Sequence, residues 1–326
     1  MSRSEFPYGF STGVTIRGMP VHAAYPGEVF FVNNSGILPR HGIGGSNGNP
    51  GTYQKPWATI EGAINNGAVK ASRGDIIFAM PGHAETLTEA AAITMDKDGV
   101  AVIGLGTGNL RPTLTYTTAN TAAISWTADY CALRNFRLVG NFLSIAAPIL
   151  NSGGAGMAIE GCRFEDTDAT HGFLSCVTTT VSTNSDDMWF TDNSRYSFAT
   201  TTPGTALKVA NTTRGLNVLR NRFWHAVIEE NIAVILDHGA LVVDELDMEH
   251  NRVYSINTAQ TTEGLLVKTA ASTGSGIIAH NLVRSNDPSA TIMVTAGAVH
   301  YGLFENYHVG EAALASGFLL PAAGGD

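Results

Sequence analysis

The amino-acid sequence predicts an all-β chain wound as a parallel β-helix, and three observations carry that prediction. First, one phrase recurs at residues 216–223, 246–253, 276–283 and 301–308, each time a short apolar run around an Asn. The four asparagines, Asn221, Asn251, Asn281 and Asn306, are spaced by 30, 30 and 25 residues. Looser copies upstream extend the series to Asn135, Gly161 and Asn193, at spacings of 26, 32 and 28 residues. Self-similarity at such a period is the signature of a solenoid. Second, each repeat carries two short β-type runs. Further apolar stretches such as 205–209, 231–236, 263–267 and 290–294 follow the Asn phrases, bounded by Gly, Asn, Ser and Thr, which reads as strands and turns. A helical solenoid would need apolar spacing of three and four residues sustained over ten or more positions. Third, charged residues are only 14% and glycines number 36, a composition suited to short strands and tight turns.

The recurrent Asn has a physical reading. Equivalent positions on successive coils lie one strand spacing apart, about 4.8 Å. An Asn at the bend between two strands can donate to and accept from its copies above and below, and it tolerates left-handed backbone. Gly161 suits the same site because glycine accepts that backbone freely. The expectation is a structural ladder of Asn135, Gly161, Asn193, Asn221, Asn251, Asn281 and Asn306, against the blander alternative of ordinary turns.

Residues 1–50 lack the repeat and read as an N-terminal arm and loop; residues 51–326 read as the solenoid. Residues 27–34 form a good strand pattern within the arm. The glycine-rich stretch 42–51 lacks the Lys-Ser/Thr ending and following helix of a phosphate-cradling loop, so it reads as a mobile or partner-contacting loop. Trp57, Ile60, Ala63 and Ile64 fall at helical spacing. A short amphipathic helix near 57–66 would cover the open end of the first coil, which otherwise exposes apolar core and unpaired edges. Phe318 and the two leucines after it suit a last strand or a subunit contact.

Composition excludes several roles. The formal net charge is −9 and no run of Lys or Arg exceeds two residues. A sequence-independent nucleic-acid binder needs a concentrated basic face, so no nucleic-acid partner is expected. Cys131, Cys162 and Cys176 form neither a disulfide framework nor a zinc set and read as buried thiols. The N-terminus lacks a secretory pattern, and no apolar run is long enough to span a membrane.

Residues 51–64 followed by 74–85 resemble the entry segment of pectate-lyase-like right-handed β-helices, where a capping helix precedes a strand ending in a Pro-Gly turn, here Pro81-Gly82. Residues 100–106 resemble that family's next rung. This resemblance implies a right-handed β-helix and carries no activity. Residues 26–112 also resemble tailed-phage virion proteins of unassigned role, which implies a place in the particle and, as β-helix virion proteins are commonly homotrimers, a trimer.

Enzymes on such a solenoid need clustered carboxylates for hydrolysis or calcium-assisted elimination. Four residues beyond each ladder position stand Val139, Glu165, Ser197, His225, Ser255, Ser285 and Gly310, one acid in seven. The other acidic spots are local: Glu165, Asp166 and Asp168; Asp186 and Asp187; Glu229 and Glu230; Asp244, Glu245 and Asp247. Loop acids explain them, and His225 near Glu229 and Glu230 reads as a surface histidine. Residues 104–109 look like a dinucleotide loop but lead to Arg111-Pro112 and not to a helix. Trp189 and Trp224 flank ladder phrases and suit either packing or a sugar groove. No catalytic residue, metal site or cofactor is expected. The resulting expectation is a tailed-phage structural protein, made in the host cytoplasm and assembled into the virion. Its role would be capsid decoration (cement), with the major capsid protein or another virion protein as partner. Its capsid contacts would come from the apolar arm residues Phe6, Tyr8, Phe10, Val14 and Ile16. The alternative is a carbohydrate-active tailspike, a lyase or hydrolase.

Overall fold

The computed structural model describes residues 15–16, 19–20, 27–38, 42–180, 184–197, 205–225, 235–237, 242–255, 267–268, 274–285, 299–310 and 317–318. These form a right-handed parallel β-helix with three sheets running along its axis. The first sheet stacks Val29–Val32, Ile76–Ala79, Ala101–Gly104, Ala132–Arg134, Ala158–Glu160, Trp189–Thr191, Asn217–Leu219, Val243–Glu249, Gly274–Ala279 and Val299–Phe304 in sequence order. The second begins at Ala84–Leu87 and Thr113–Tyr116. It continues through Arg137–Gly140, Arg163–Asp166, Ser194–Ser197, Arg222–His225, Arg252–Ser255 and Leu282–Ser285 to Tyr307–Gly310. The third runs from Ile93–Met95 through Ile124–Trp126, Ile149–Asn151, Ser175–Thr179, Thr205–Val209 and Ile235–Asp237 to Val267–Lys268. Each coil therefore crosses the three sheets in turn. Gly317–Phe318 closes the second sheet as a short antiparallel strand on Tyr307 and His308. Residues 231–234, 263–266 and 290–294 of the predicted apolar runs lie outside the described residues.

Alternation along the strands sends every second side chain inward. Ile77, Val102, Leu133, Ile159, Phe190, Val218, Met248 and Ile278 form one buried column, and Leu114, Leu138, Phe164, Phe223, Val253 and Val283 another. The two columns meet inside the coil: the Phe190 and Phe223 rings lie 6.4 Å apart and 11° from parallel. Arg195 interrupts the second column, 1% exposed, its Nη1 donating to the Thr205 carbonyl at 2.7 Å. All three cysteines are buried. Burial pushes their thiols up, to about 11 for Cys131 and Cys176 and about 12 for Cys162.

The bend between the first and second sheets corrects the register read from the sequence. Asn193, Asn221, Asn251, Asn281 and Asn306 form one buried stack. The side-chain oxygen of each of the last four accepts the backbone N–H of the Asn before it, at 2.8–3.1 Å. Asn193 caps the run by accepting Cys162 N–H at 2.8 Å. Each Asn side-chain amide also donates to a strand carbonyl near the preceding bend, such as Asn251 to Val218 at 2.7 Å. Asn135 and Gly161 do not share that position. Residues 134, 160 and 191 pair across neighbouring strands, which puts Phe136 and Cys162 level with Asn193. Asn135 and Gly161 align instead with Asp192, Arg220, His250, His280 and Glu305. That column, and not the stacked asparagines, carries the left-handed backbone, with φ between 45° and 61°. An Asn that tolerates positive φ and an Asn that bridges coils look alike in a sequence, and the two were conflated.

The entry end differs too. The solenoid starts at Val29–Val32, which pairs in parallel with Ile76–Ala79, so it reaches further back than residue 51. The glycine-rich segment is anchored: Ile43 N–H reaches Gln54 O at 2.9 Å, Asn47 Oδ1 accepts Ala58 N–H at 3.0 Å, and Trp57 Nε1 donates to Asn49 O at 2.5 Å. The helix is Ile60–Ile64, shorter than expected, because Thr59 caps it through Gly62 N–H and Asn65 ends it. Trp57 precedes it in an isolated bridge to Val32. Ile60, Ala63 and Ile64 are buried over the first coil. Glu85 on the next strand accepts Ile60 N–H at 2.7 Å and His83 Nε2 at 2.6 Å, while His83 Nδ1 accepts Asn34 N–H. Ile16 lies in a two-residue pairing with Met19; Phe6, Tyr8, Phe10 and Val14 lie outside the described residues.

Candidate binding face

The outward positions of the second sheet bring together residues that lie 26 to 31 apart in the chain. One column reads Arg137, Arg163, Ser194, Arg222, Arg252 and Leu282. The next outward column reads Val139, Glu165, Tyr196, Trp224, Tyr254 and Arg284. With Arg111 just before Thr113–Tyr116, six of the chain's 19 Lys and Arg residues lie on or beside this strip, facing one acid in these two columns, Glu165. No run of Lys or Arg in the sequence announces this strip. The stacking period hides it, since residues one rung apart are never adjacent in sequence.

Three of the six guanidinium groups are held in place. Arg137 donates to Glu165 Oε2 through Nε at 2.8 Å and lies 2.6 Å from it through Nη2. Arg163 pairs with Glu165 Oε1 and lies over the Tyr196 ring, 4.6 Å from its centroid. Arg222 lies over Tyr254 at 5.6 Å, and Tyr196 and Trp224 are 6.1 Å apart. Cation–π contact of this kind fixes the direction of an arginine that would otherwise sweep through solvent. At the entry end of the strip, Gly108, Asn109, Arg111, Arg137, Arg163, Glu165 and Ser194 line a cleft of about 400 Å³.

The remaining acids are dispersed. Asp166 is buried and accepts Phe173 N–H and the Ser197 hydroxyl. Asp168 is exposed; the Thr170 N–H and the His171 and Thr170 side chains hold its carboxyl well below the usual range. Asp186 accepts Arg214 N–H, Asp244 accepts Ser275 Oγ, and Glu245 pairs with Arg214. Burial and neighbouring Glu249 raise Asp247. Among the described residues no three His, Cys, Asp or Glu side chains are grouped to hold a metal ion. His225 ends its strand level with Ser197 and Ser255; Glu229 and Glu230 lie outside the described residues. Of the tryptophans, Trp57 and Trp126 are core, whereas Trp189 and Trp224 are 44% and 39% exposed on different sheets.

The strip is hidden in the sequence by the one-residue offset between the two Asn columns. Counting four residues from Asn135 and Gly161 lands on the outward Val139 and Glu165. Counting four from Asn193 lands on the inward Ser197. One residue beyond the corrected ladder position, the arginines stand out: Arg137, Arg163, Arg222 and Arg252.

Comparison with known proteins gives the fold its class. No protein-family model and no curated protein matches the chain. Among solved structures, a rhamnogalacturonan lyase aligns with a TM-score of 0.54 at 13% identity, covering 79% of this chain and 68% of its own. A pectate lyase aligns at 0.39 and 13%, covering 83% and 79%. A protein of Geobacillus virus E2, ORF18, aligns at 0.27 and 12%, covering 77% and 57%. The chain thus has the right-handed parallel β-helix fold found in pectate-lyase-like proteins, at an identity that speaks for fold alone.

Proposed function

We propose that this chain is a structural protein of a tailed-phage particle, a homotrimeric capsid decoration protein that acts by contact. What supports a contact role over catalysis on the strip is the state of Glu165. It is the carboxylate on the basic strip, and it is held by Arg137 and Arg163. A general acid or base needs a carboxyl free to exchange its proton with substrate, whereas an acid that orders guanidinium groups builds a recognition surface. The N-terminal residues Phe6, Tyr8, Phe10, Val14 and Ile16 remain the proposed capsid contact. The test is sedimentation of purified protein with undecorated capsids. Saturable co-sedimentation lost on deleting residues 2–24 supports the reading; absence of binding by the full chain refutes it.

A second reading, a carbohydrate-active tailspike, is favoured by Trp224, exposed beside Arg222 and Tyr254, since aromatic and charged groups together suit sugars. Incubation with host capsule, followed by measurement of reducing ends and unsaturated products, decides it: turnover establishes an enzyme.

A further inference from the structure

The cleft at the entry end of the strip is unlike the rest of the surface. Three guanidinium groups, Arg111, Arg137 and Arg163, face one carboxylate, Glu165, so two positive charges stay uncompensated there in a chain of net charge −9. Arg137 and Arg163 are oriented by Glu165, and Arg163 also by Tyr196. Arg111 makes no ion pair among the described residues. Gly108, Asn109 and Ser194 complete the wall and offer neutral donors: backbone N–H groups, an amide and a hydroxyl.

We propose that this cleft binds a phosphate monoester carried on a small polar molecule. The charge argument favours a dianion: a single carboxylate would neutralise half the surplus, and a phosphate all of it. The donor argument agrees. Planar guanidinium groups pair well with phosphate oxygens; Arg111 makes no ion pair among the described residues, and Arg137 and Arg163 keep the Nη donors that Glu165 does not take, a spread of donors that suits a tetrahedral group better than a flat one. The volume, about 400 Å³, exceeds a bare phosphate and falls in the range of small-molecule sites, leaving room for the group that bears it. Single-stranded nucleic acid is disfavoured at the cleft, because base stacking needs open ring faces and none of the lining residues is aromatic; the exposed Trp224 of the strip lies outside it. The inference is independent of whether the protein decorates capsids.

The test is calorimetric titration in a chloride buffer at fixed ionic strength. The probes are inorganic phosphate, glucose 6-phosphate, acetate and an oligothymidylate. Inorganic phosphate and glucose 6-phosphate are expected to bind with one site per chain, and acetate at least tenfold more weakly. Tighter binding of glucose 6-phosphate than of phosphate supports a borne phosphate as the ligand; equal or weaker binding of glucose 6-phosphate would overturn that assignment in favour of the free ion. Arg111→Ala should weaken binding at least tenfold and Arg111→Lys less. Arg222→Ala, outside the cleft, should change it less than twofold. Circular dichroism and melting curves confirm that each variant is folded. Equal losses in the Arg111 and Arg222 variants, or an oligothymidylate bound more tightly than either phosphate, would show a diffuse polyanion surface and overturn the proposal, as would no binding of phosphate above that of acetate.

Discussion

Replacing Asn251 by alanine tests the coil-to-coil stack at its centre. Asn251 is fully buried. Its side-chain oxygen accepts Asn221 N–H at 2.9 Å and Asn221 Nδ2 at 3.0 Å, and its amide donates to Val218 O at 2.7 Å and Asn281 Oδ1 at 3.0 Å. Alanine keeps the backbone bond to Asn281 and removes the other four. Asn221 Nδ2 still reaches Phe190 O at 2.8 Å, and Asn281 Oδ1 still accepts Asn251 N–H at 2.8 Å. The Asn221 backbone N–H is left buried without a partner, which costs about 1–3 kcal/mol. The weakened Val218 carbonyl adds about 1 kcal/mol, for a total of about 2–4 kcal/mol. Glycine at 251 should cost at least as much, because this position is not in left-handed backbone. His250→Gly, at φ 56°, should by contrast lie within about 1 kcal/mol of wild type, since glycine accepts that conformation without strain. The assay is urea unfolding followed by β-sheet circular dichroism, comparing midpoints at unchanged slope. An Asn251→Ala change below about 0.5 kcal/mol, or a His250→Gly loss larger than that of Asn251→Gly, would refute the register and the stack together.

Three further outcomes follow from buried polar groups. Burial raises the Asp75 carboxyl, but the Arg73 side chain and the Glu28 and Lys70 N–H groups outweigh it and hold the carboxyl below the usual range. Its stabilising effect is therefore fully present above the unfolded carboxylate value of about 3.9 and is lost as pH falls through the depressed native one; Asp75→Asn should flatten the acid limb of stability against pH, and an unchanged limb would contradict this. Glu85→Ala removes the acceptor of Ile60 N–H and of His83 and should lower stability by about 2–4 kcal/mol, with the urea midpoint as the check. With thiols pushed up to about 11 or 12, Cys131, Cys162 and Cys176 should resist a thiol reagent at pH 8 when folded and react in urea; rapid labelling of native protein would show that the coils open.

The solenoid was legible because its coil period and alternating strands are written directly in the chain, and the cap was legible in the spacing of Ile60, Ala63 and Ile64. The register was not. Asn135 and Asn193 are the same residue type in similar phrases, yet one supplies left-handed backbone and the other a side-chain bridge, and only strand pairing separates them. That one-residue slip exchanges inward and outward positions, which concealed Arg137, Arg163, Arg222 and Arg252 as a column. The cleft depends on Arg111 and Asn109 folding back toward later coils, a contact no local pattern announces. The anchoring of residues 42–51 was likewise invisible, since most of its partners, at Gln54, Pro56 and Ala58, are backbone groups, and the Trp57 indole that holds Asn49 reads in the sequence only as part of the helix face.

An electron cryo-microscopy map of the phage particle tests the central claim most directly. The proposed capsid-decoration role predicts triangular β-helical lobes on the outer capsid surface, three chains to a lobe, with the entry end of each solenoid toward the shell. Density for this chain at the tail tip, or none anywhere on the particle, would contradict it.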